Sequence, residues 1–306
     1  MKLSKILVTG ANGFLGTHLL QFLNDLNLEV HTLGTEKPLI GTYHSIAFNE
    51  QSKLKDLIRD VKPDAIFHLA GVSSAHELSK YYEINVVFAT NIIEGVKEWG
   101  NNNCPILLTG TSAEYGLIEK SDLPIKETTF PRPYNHYGIS KLAQTLMGLR
   151  EAQNGWPLIV VRPFNIIGPR MPDHLVIQSF IRQLIQINQK ICPPILEVGN
   201  LSSLRDFVNV SDVVQAMWLL IQNPEAVGEV VNICSGVGTS IEKILSILLE
   251  VTQVKVEIRV DPNKVRSIET PVHFGSFEKL KNLTGFTPKS DIKSNMIQIL
   301  KFEGLM

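Results

Sequence analysis

The sequence predicts an α/β fold in which a Rossmann-type doubly wound parallel sheet is joined to a smaller mixed α/β lobe. Three observations predict it. In the first half of the chain, short apolar runs alternate with segments that carry apolar residues at helical spacing. A glycine-rich turn at residues 10–16 separates the first apolar run from the first helical segment. After Arg162 the alternation loosens, and prolines and glycines become frequent.

Strands and helices alternate throughout the first half of the chain. The short apolar runs predict strands at residues 6–9, 29–33, 44–48, 64–70, 105–109 and 158–162. The segments of helical spacing predict helices at residues 17–26, 54–60, 81–99 and 137–153. Strands that alternate with helices in this way form parallel sheets covered on both faces, so the first half supplies most of the sheet.

The second half contains a mixture of elements. Helical patterns predict helices at residues 176–188, 213–222 and 240–251, with a further helical region from 277–283. Apolar runs predict strands at residues 207–210, 230–233 and 255–260. Ser240 is a suitable N-cap for the helix that follows it. We expect the helix at 213–222 to return to the large sheet.

Composition excludes several functional classes. The 306 residues carry a net charge of −1, so no nucleic-acid or membrane partner is expected. The three cysteines, Cys104, Cys192 and Cys234, are isolated, odd in number and without metal-ligand spacing. No metal site is therefore expected, and reduced cysteines predict a cytoplasmic location. The residues before the first strand are too few for a signal sequence, which agrees with that location.

The glycine-rich turn predicts a dinucleotide site. It follows a predicted strand and opens a predicted helix, which is the context in which such a turn binds a pyrophosphate. The backbone N–H groups and the positive end of the helix receive the phosphates, and glycines allow close approach. We therefore interpret residues 1–166, with about 207–232, as a dinucleotide-binding domain. Residues 167–206 and 233–306 then form the smaller lobe.

Tyr137 and Lys141 predict acid–base chemistry. Residues four apart lie on one face of a helix. An ammonium at that distance favours the phenolate, so we expect Lys141 to lower the pKa of Tyr137 from its ordinary value of about 10. With the glycine turn and the hydroxyl pair Thr111–Ser112, this pattern indicates a site that moves a hydride and a proton.

These motifs resemble the extended short-chain dehydrogenase/reductase family over nearly the whole chain. The matching segments, in family order, are TGxxGFxG at residues 9–16 and then residues 68–71, 111–116, 137–141, 162–165, 168–169 and 205–213. In that family the tyrosine is the general acid or base, the lysine lowers its pKa and hydrogen-bonds the nicotinamide ribose, and a serine or threonine orients the reacting oxygen. The resemblance therefore implies that Thr111, Tyr137 and Lys141 are catalytic.

The resemblance also implies which residues bind the dinucleotide. They are Gly10, Asn12, Gly13, Phe14, Leu15, Gly16, Leu69, Ala70, Gly71, Tyr137 and Lys141. An acid at the end of the second strand would bind the 2′-hydroxyl of NAD. Leu33, Gly34 and Thr35 occupy that place, with Lys37 nearby, so the sequence favours NADPH, with NADH as the alternative.

One departure from the family pattern narrows the reaction. Nucleotide-sugar 4,6-dehydratases carry a catalytic glutamate two residues after the threonine, where this chain has Ala113. A methyl group cannot abstract a proton, and Glu114 is one position away and should point in another direction. The sequence therefore favours a 4-ketoreductase. An epimerase or a 4,6-dehydratase of the same family is the alternative.

Two segments of the second half suggest the substrate. Residues 198–207 resemble the VGNLxxxRDF segment of GDP-mannose dehydratases and GDP-4-keto-6-deoxy-mannose reductases, and residues 261–269 resemble their DPxxxRPxE segment, with Ser267 in place of proline. The resemblance implies that Arg205 and Arg266 hold a diphosphate and that Glu269 binds the nucleotide ribose. Arginine suits the task because its planar fork matches phosphate oxygens.

The expected partner is a GDP-linked 4-keto-6-deoxy sugar bound in the smaller lobe. Ser112, Glu114 and Asn165 complete the predicted substrate-binding set. Relatives pair the helices that correspond to residues 81–99 and 137–153 across a two-fold axis, so the resemblance also implies a homodimer.

Overall fold

A computed structural model describes residues 3–264, 270–289 and 291–306 of the chain. Its strands are β1 (Lys5–Thr9), β2 (Glu29–Gly34), β3 (Thr42–Ser45), β4 (Ala65–His68), β5 (Ile106–Thr109), β6 (Leu158–Pro163), β7 (Asn165–Ile167), β8 (Ile195–Val198), β9 (Leu204–Asn209), β10 (Val230–Ile233), β11 (Gly238–Ser240), β12 (Glu257–Val260) and β13 (Val272–His273). Its α-helices are α1 (Phe14–Asp25), α2 (Gln51–Val61), α3 (Leu78–Tyr82), α4 (Phe88–Trp99), α5 (His136–Gln153), α6 (Val176–Asn188), α7 (Val210–Ile221), α8 (Ile241–Thr252), α9 (Glu278–Thr284) and α10 (Ile292–Phe302).

The large sheet has seven strands in the order β10-β6-β5-β4-β1-β2-β3. Every neighbouring pair in it is parallel. Its strand order reverses between β1 and β4, which is where ligands bind in doubly wound folds. This arrangement confirms the predicted Rossmann-type fold.

Helices cover both faces of the large sheet because side chains alternate along each strand. On one face, α1 and α7 pack through Leu19, Leu23 and Met217 against a cluster that includes Phe67 of β4. On the other face, α2 and α4 pack against a second cluster that includes Ile66, the preceding residue of β4. The predicted return of the helix at 213–222 to the large sheet is confirmed by α7.

The smaller lobe has its own sheets and core. In it β9 lies between β11 and β13 and also pairs with β7, while β8 pairs with β12. Helices α6, α8 and α10 enclose an apolar cluster that includes Phe180, Leu248 and Ile299. None of the described helices combines the length and apolar character needed to cross a membrane.

The structure places one predicted strand in a different sheet from the one expected for it. The strand predicted at 207–210 was assigned to the dinucleotide-binding domain, but β9 lies in the sheet of the smaller lobe. The chain therefore returns to the large sheet only with α7. The hydrophobic pattern could not tell which sheet this strand joins, because strands of both sheets are apolar runs of similar length.

Two other elements refine the sequence predictions. The helix predicted at 81–99 is α3 and α4 joined by a π-helical turn, Glu83–Val87, with Asn85 buried in it. The predicted N-cap Ser240 is confirmed, since its Oγ accepts a hydrogen bond from the Lys243 N–H at 3.0 Å. Helix α10 was missed by the sequence analysis.

Asp206 of β9 connects the smaller lobe to the residues after β10 through hydrogen bonds, and replacing Asp206 tests how much these bonds stabilise the fold. Its buried carboxylate accepts hydrogen bonds from the backbone N–H groups of Ser235, Gly236 and Gly275. Asp206→Ala leaves these donors unpaired, so we expect the free energy of unfolding in urea to fall by about 3 kcal/mol or more. Asp291→Ala, which removes the exposed N-cap of α10, is the control and should cost about 1 kcal/mol. Equal losses in the two variants would contradict the role given to Asp206.

Candidate active site

The glycine turn packs against the end of β4. Gly10 has φ of +72°, and a Cβ at this position would lie 2.6 Å from the Ala70 backbone nitrogen and 2.8 Å from the Leu69 carbonyl carbon. A Cβ at Gly16 would lie 2.2 Å from the Gly10 carbonyl oxygen. The close approach of these backbones brings the predicted cofactor residues of the two segments to one edge of the sheet.

Helix α1 presents its positive end beside this turn. The helix starts at Phe14, its N-cap Gly13 offers no side-chain hydrogen bond, and its first turn holds no acidic residue. The Asn12 amide donates to the Glu36 carbonyl oxygen at 2.7 Å, which ties the turn to the loop after β2. An uncapped helix end beside a turn with three glycines forms a cradle that suits a pyrophosphate, so these residues fit a dinucleotide.

Lys141 lies buried between the ends of β4 and β5. Its Nζ donates to the Thr109 carbonyl oxygen at 2.9 Å and to Gln144 Oε1 at 3.0 Å. A Cβ at Gly71 would lie 2.9 Å from this Nζ, so glycine at this position leaves the ammonium in place, whereas a side chain would displace it. Burial lowers the pKa of Lys141 to about 8, and the negative charge of Glu114 opposes that lowering.

Tyr137 lies one helical turn from Lys141 and contacts Thr111. Burial raises the pKa of Tyr137, and a hydrogen bond with the Thr111 side chain lowers it. The expected lowering of the Tyr137 pKa by Lys141 is wrong for this structure, because the charge that acts on Tyr137 is the negative charge of Glu114. The predicted catalytic residues are nevertheless brought together at the carboxyl end of β5.

Thr111 begins a 3₁₀ turn, Ser112–Glu114, that separates two environments. The Thr111 Oγ1 accepts a hydrogen bond from the Ala113 N–H at 3.2 Å. Ala113 is half-buried, whereas Glu114 is fully buried and paired with Arg162. The assignment of Glu114 to the substrate pocket is therefore corrected, because its carboxylate is sealed beneath the turn. Ser112 is also largely buried, at 8% exposure, and its binding role stays a prediction.

The predicted substrate residues divide into two groups. Asn165 is exposed, and its amide donates to the Asp206 carbonyl oxygen at 2.8 Å. Arg205 is half-buried on the neighbouring strand β9, where its guanidinium donates to the Leu204 carbonyl oxygen at 2.9 Å. The other two predicted residues, Arg266 and Glu269, lie outside the described residues.

His273 connects Arg205 to the catalytic turn and was missed by the sequence analysis. It pairs with Arg205 in the register of β13 and β9, and its side chain hydrogen-bonds the backbone of Ser112. Burial and the Arg205 charge lower the pKa of His273 to about 4, so the ring is neutral near pH 7. Arg205 is thus brought close to the turn that carries Thr111.

Two buried amides support Lys141 and its surroundings. Gln144, one turn after Lys141, also donates to the Thr109 carbonyl oxygen, at 3.2 Å. Asn85 joins the π-helical turn to the residue after Gly71, since its amide donates to the Val72 carbonyl oxygen and its Oδ1 accepts from the Val72 N–H. The i to i+3 spacing of Lys141 and Gln144 was a signal that could have identified Gln144 from the sequence.

The chain is similar to proteins of one family. A model of the NAD dependent epimerase/dehydratase family matches residues 6–234. GDP-6-deoxy-D-mannose reductase of Pseudomonas aeruginosa is 34% identical over 301 residues, covering 97% of this chain and 96% of that protein. GDP-6-deoxy-D-talose 4-dehydrogenase of Aggregatibacter actinomycetemcomitans is 28% identical, covering 92% of this chain and 91% of its own.

A solved structure gives the same result. The structure of RMD from Pseudomonas aeruginosa complexed with NADPH aligns with a TM-score of 0.87 at 32% identity and covers 99% of each chain. A family match over most of the chain and a relative above 30% identity along almost its full length establish membership. The chain belongs to the NAD dependent epimerase/dehydratase family, the extended branch of the short-chain dehydrogenases/reductases.

Proposed function

We propose that this protein reduces the 4-keto group of a GDP-4-keto-6-deoxy sugar with NADPH. The observation that carries the proposal is the turn after Thr111. It leaves Thr111 and Ala113 half-buried, and it buries its only carboxylate, Glu114. The two relatives described above carry GDP-6-deoxy sugars in their names, which supports the substrate class.

The residues of the site have distinct roles in this reaction. When bound in the glycine-turn cradle, NADPH supplies the hydride. Thr111 and Tyr137 bind the carbonyl oxygen of the sugar, and Tyr137 gives its phenolic proton to the oxygen as it becomes an alkoxide. The raised pKa of Tyr137 keeps the phenol protonated near pH 7, as a proton donor must be. Lys141 holds the cofactor ribose. The hydrogen bond with Thr111, which lowers the pKa of Tyr137, stabilises the negative charge left on the phenolate.

The nucleotide is held by the smaller lobe. Arg205 provides a planar cation for the diphosphate, close to the catalytic turn through His273. Arg266 and Glu269 complete the proposed set. Asn165, exposed on the adjoining strand β7, is proposed to contact the sugar.

Elimination of water requires a carboxylate that this site does not offer from the Thr111 turn. Glu114 cannot turn outward without leaving Arg162 unpaired in the interior, which costs several kcal/mol for a buried charge. This cost argues against the alternative of a 4,6-dehydratase.

The end of β2 supports NADPH as the cofactor. Gly34 closes the strand, and a Cβ built on it meets nothing within 4 Å, so the position borders open space. Lys37, exposed in the loop that follows, adds a positive charge near this place. Gly34 itself offers no carboxylate to repel a 2′-phosphate, and Lys37 balances the charge of Glu36 in the same loop.

We also propose a homodimer formed through α5 and the helix before it. Ile139 and Leu146 lie seven residues apart on one face of α5 and are 40% and 58% exposed. Val87, 47% exposed, extends the apolar surface onto the π-helical turn. Exposed apolar side chains on two neighbouring elements are typical of an interface between subunits.

A cytoplasmic location agrees with the chemistry of the thiols. The three cysteines are free, and burial raises the pKa of Cys104 to about 12. Such thiols need no oxidising compartment. Fractionation of cells with an antibody to the protein tests this location.

The proposed reaction is tested with a GDP-4-keto-6-deoxy sugar and NADPH. We expect NADPH oxidation and, by NMR, a GDP-6-deoxy sugar as product, whereas GDP-mannose with oxidised cofactor should lose no water. Tyr137→Phe removes the proton donor, so kcat should fall by about 10²–10⁴-fold while nucleotide-sugar affinity by calorimetry is retained. Tyr134→Phe, an exposed phenol three residues away, is the matched control and should keep its kcat. Unchanged turnover in Tyr137→Phe would overturn the mechanism.

Cofactor preference is tested by placing an acid at Gly34. The open space around its Cβ admits Gly34→Asp without a clash. A carboxylate there repels the 2′-phosphate and accepts from a 2′-hydroxyl, so the Kd of NADPH should rise at least about tenfold and NADH should become preferred. Gly34→Ala, which adds a side chain without charge, should leave the preference in place. Equal changes in both variants would mean that charge at Gly34 does not select the cofactor.

The dimer is tested by light scattering coupled to size exclusion. Wild-type protein should elute with twice the mass of one chain, and Leu146→Glu should shift it to the monomer because two charges would face each other across the interface. Leu39→Glu alters a residue that is 93% exposed in the loop after β2 and should leave the mass unchanged. A wild-type monomer would refute the proposal.

A further inference from the structure

Glu114 and Arg162 form a buried ion pair directly beneath the catalytic residues. We propose that this pair is a positioning element, in which Glu114 holds Thr111 in place and supplies a fixed negative charge to Lys141 and Tyr137. The inference rests on the proposed function for its catalytic consequence, since it concerns the residues that carry out the reduction. Glu114 touches no reacting atom in this scheme and acts through its neighbours.

The Glu114 carboxylate is saturated with donors. Its Oε1 accepts a hydrogen bond from the Thr111 backbone N–H at 2.9 Å. Its Oε2 accepts from Arg162 Nε and from Thr145 Oγ1, each at 2.8 Å, and Arg162 Nη2 lies 2.8 Å from the same oxygen. A Cβ at Gly110 would lie 2.3 Å from Oε1, so the chain leaves the space that this carboxylate fills.

These bonds tie together the segments that carry the chemistry. Thr111 follows β5, Arg162 belongs to β6, and Thr145 lies on α5, the helix that also carries Tyr137 and Lys141. Thr111 in turn hydrogen-bonds Tyr137. A shift of Glu114 would therefore move the orienting hydroxyl relative to the proton donor, and misplacement by about 1 Å can cost a hundredfold in rate.

Stability alone gives little reason for such a pair. Burying two ions costs several kcal/mol each, and well-packed apolar residues of similar volume often do as well or better. Glu114 lies under the reacting residues and therefore has a second, electrostatic effect. Its negative charge acts on Lys141 and Tyr137 in an interior that screens charge poorly. Arg162, the other member of the pair, stacks on Tyr115, with its guanidinium carbon 4.6 Å from the centre of the Tyr115 ring.

The direction of the electrostatic effect follows from the charges present. Glu114 raises the pKa of both Lys141 and Tyr137. The other titratable side chains that act within this group are Tyr115 and Glu127 beside Arg162, Lys279 beside Glu127, and His68 beside Lys141. His68 is fully buried, and its pKa of about 3 keeps it neutral. Glu114 is therefore the charge that opposes the effect of burial on Lys141 and favours its protonated form.

The test measures the titration of Lys141 directly, by NMR of protein with ¹³Cε-labelled lysine. Lys141→Met identifies the resonance. In wild-type protein the midpoint should lie near pH 8. Glu114→Gln removes the charge, and the midpoint should fall by about one pH unit. The matched control is Glu127→Gln, because Glu127 is a half-buried acid that acts on Arg162 but not on Lys141, and its midpoint should stay in place.

A second variant is needed because Glu114→Gln alone could impair folding. Glu114→Gln leaves Arg162 buried without its partner, whereas Glu114→Gln with Arg162→Met removes the whole pair. The double variant should show the same fall in the Lys141 midpoint. In both, kcat for the carbonyl reduction should drop at least about tenfold, with a smaller change in KM for the nucleotide sugar.

The outcomes separate this inference from the proposed function. An unmoved Lys141 midpoint in both Glu114 variants, or an equal fall in Glu127→Gln, overturns the inference, as does a loss of kcat with an unmoved midpoint. A wild-type protein that reduces no 4-keto sugar but shows the shifted midpoint would overturn the proposed function and leave the electrostatic role of Glu114 standing.

Discussion

The active site depends on keeping charged side chains buried at the carboxyl edge of a parallel sheet. Lys141, Glu114 and Arg162 are 3%, 0% and 4% exposed. Charges at this depth persist only when hydrogen bonds replace the lost water, and here a backbone carbonyl, an amide, a hydroxyl and a backbone N–H provide them. Side-chain-free positions at the ends of β4 and β5 leave the room that the ammonium and the carboxylate occupy.

This arrangement gives the turn after Thr111 two faces with different chemistry. Its outer face offers the Thr111 hydroxyl, and its inner face carries the Glu114 carboxylate, which holds the Thr111 backbone. A protonated phenol beside a lysine held near its titration point suits delivery of one proton to one oxygen. A carboxylate committed to four hydrogen-bond donors does not suit removal of a proton from carbon. Carbonyl reduction therefore agrees with the site better than elimination does.

The smaller lobe reaches the same edge of the sheet through β9. The successive residues Arg205 and Asp206 make different contacts, because side chains alternate between the two faces of a strand. Asp206 turns inward and joins the lobe to the loops after β10 and β13, while Arg205 lies beside His273, which bonds the backbone of Ser112. The proposed diphosphate site at Arg205 is thus connected through His273 to the turn that carries Thr111.

The sequence by itself determined the parallel sheet, the glycine turn, the helix with Tyr137 and Lys141, and the missing acid at Ala113, because each is a local pattern of spacing or composition. It assigned Glu114 to the wrong environment and did not reveal His273 as a support. Only the tertiary structure decided these points. Glu114 meets Arg162 across 48 positions of chain, and whether a carboxylate faces a pocket or a buried cation depends on contacts between distant strands, which no local pattern records.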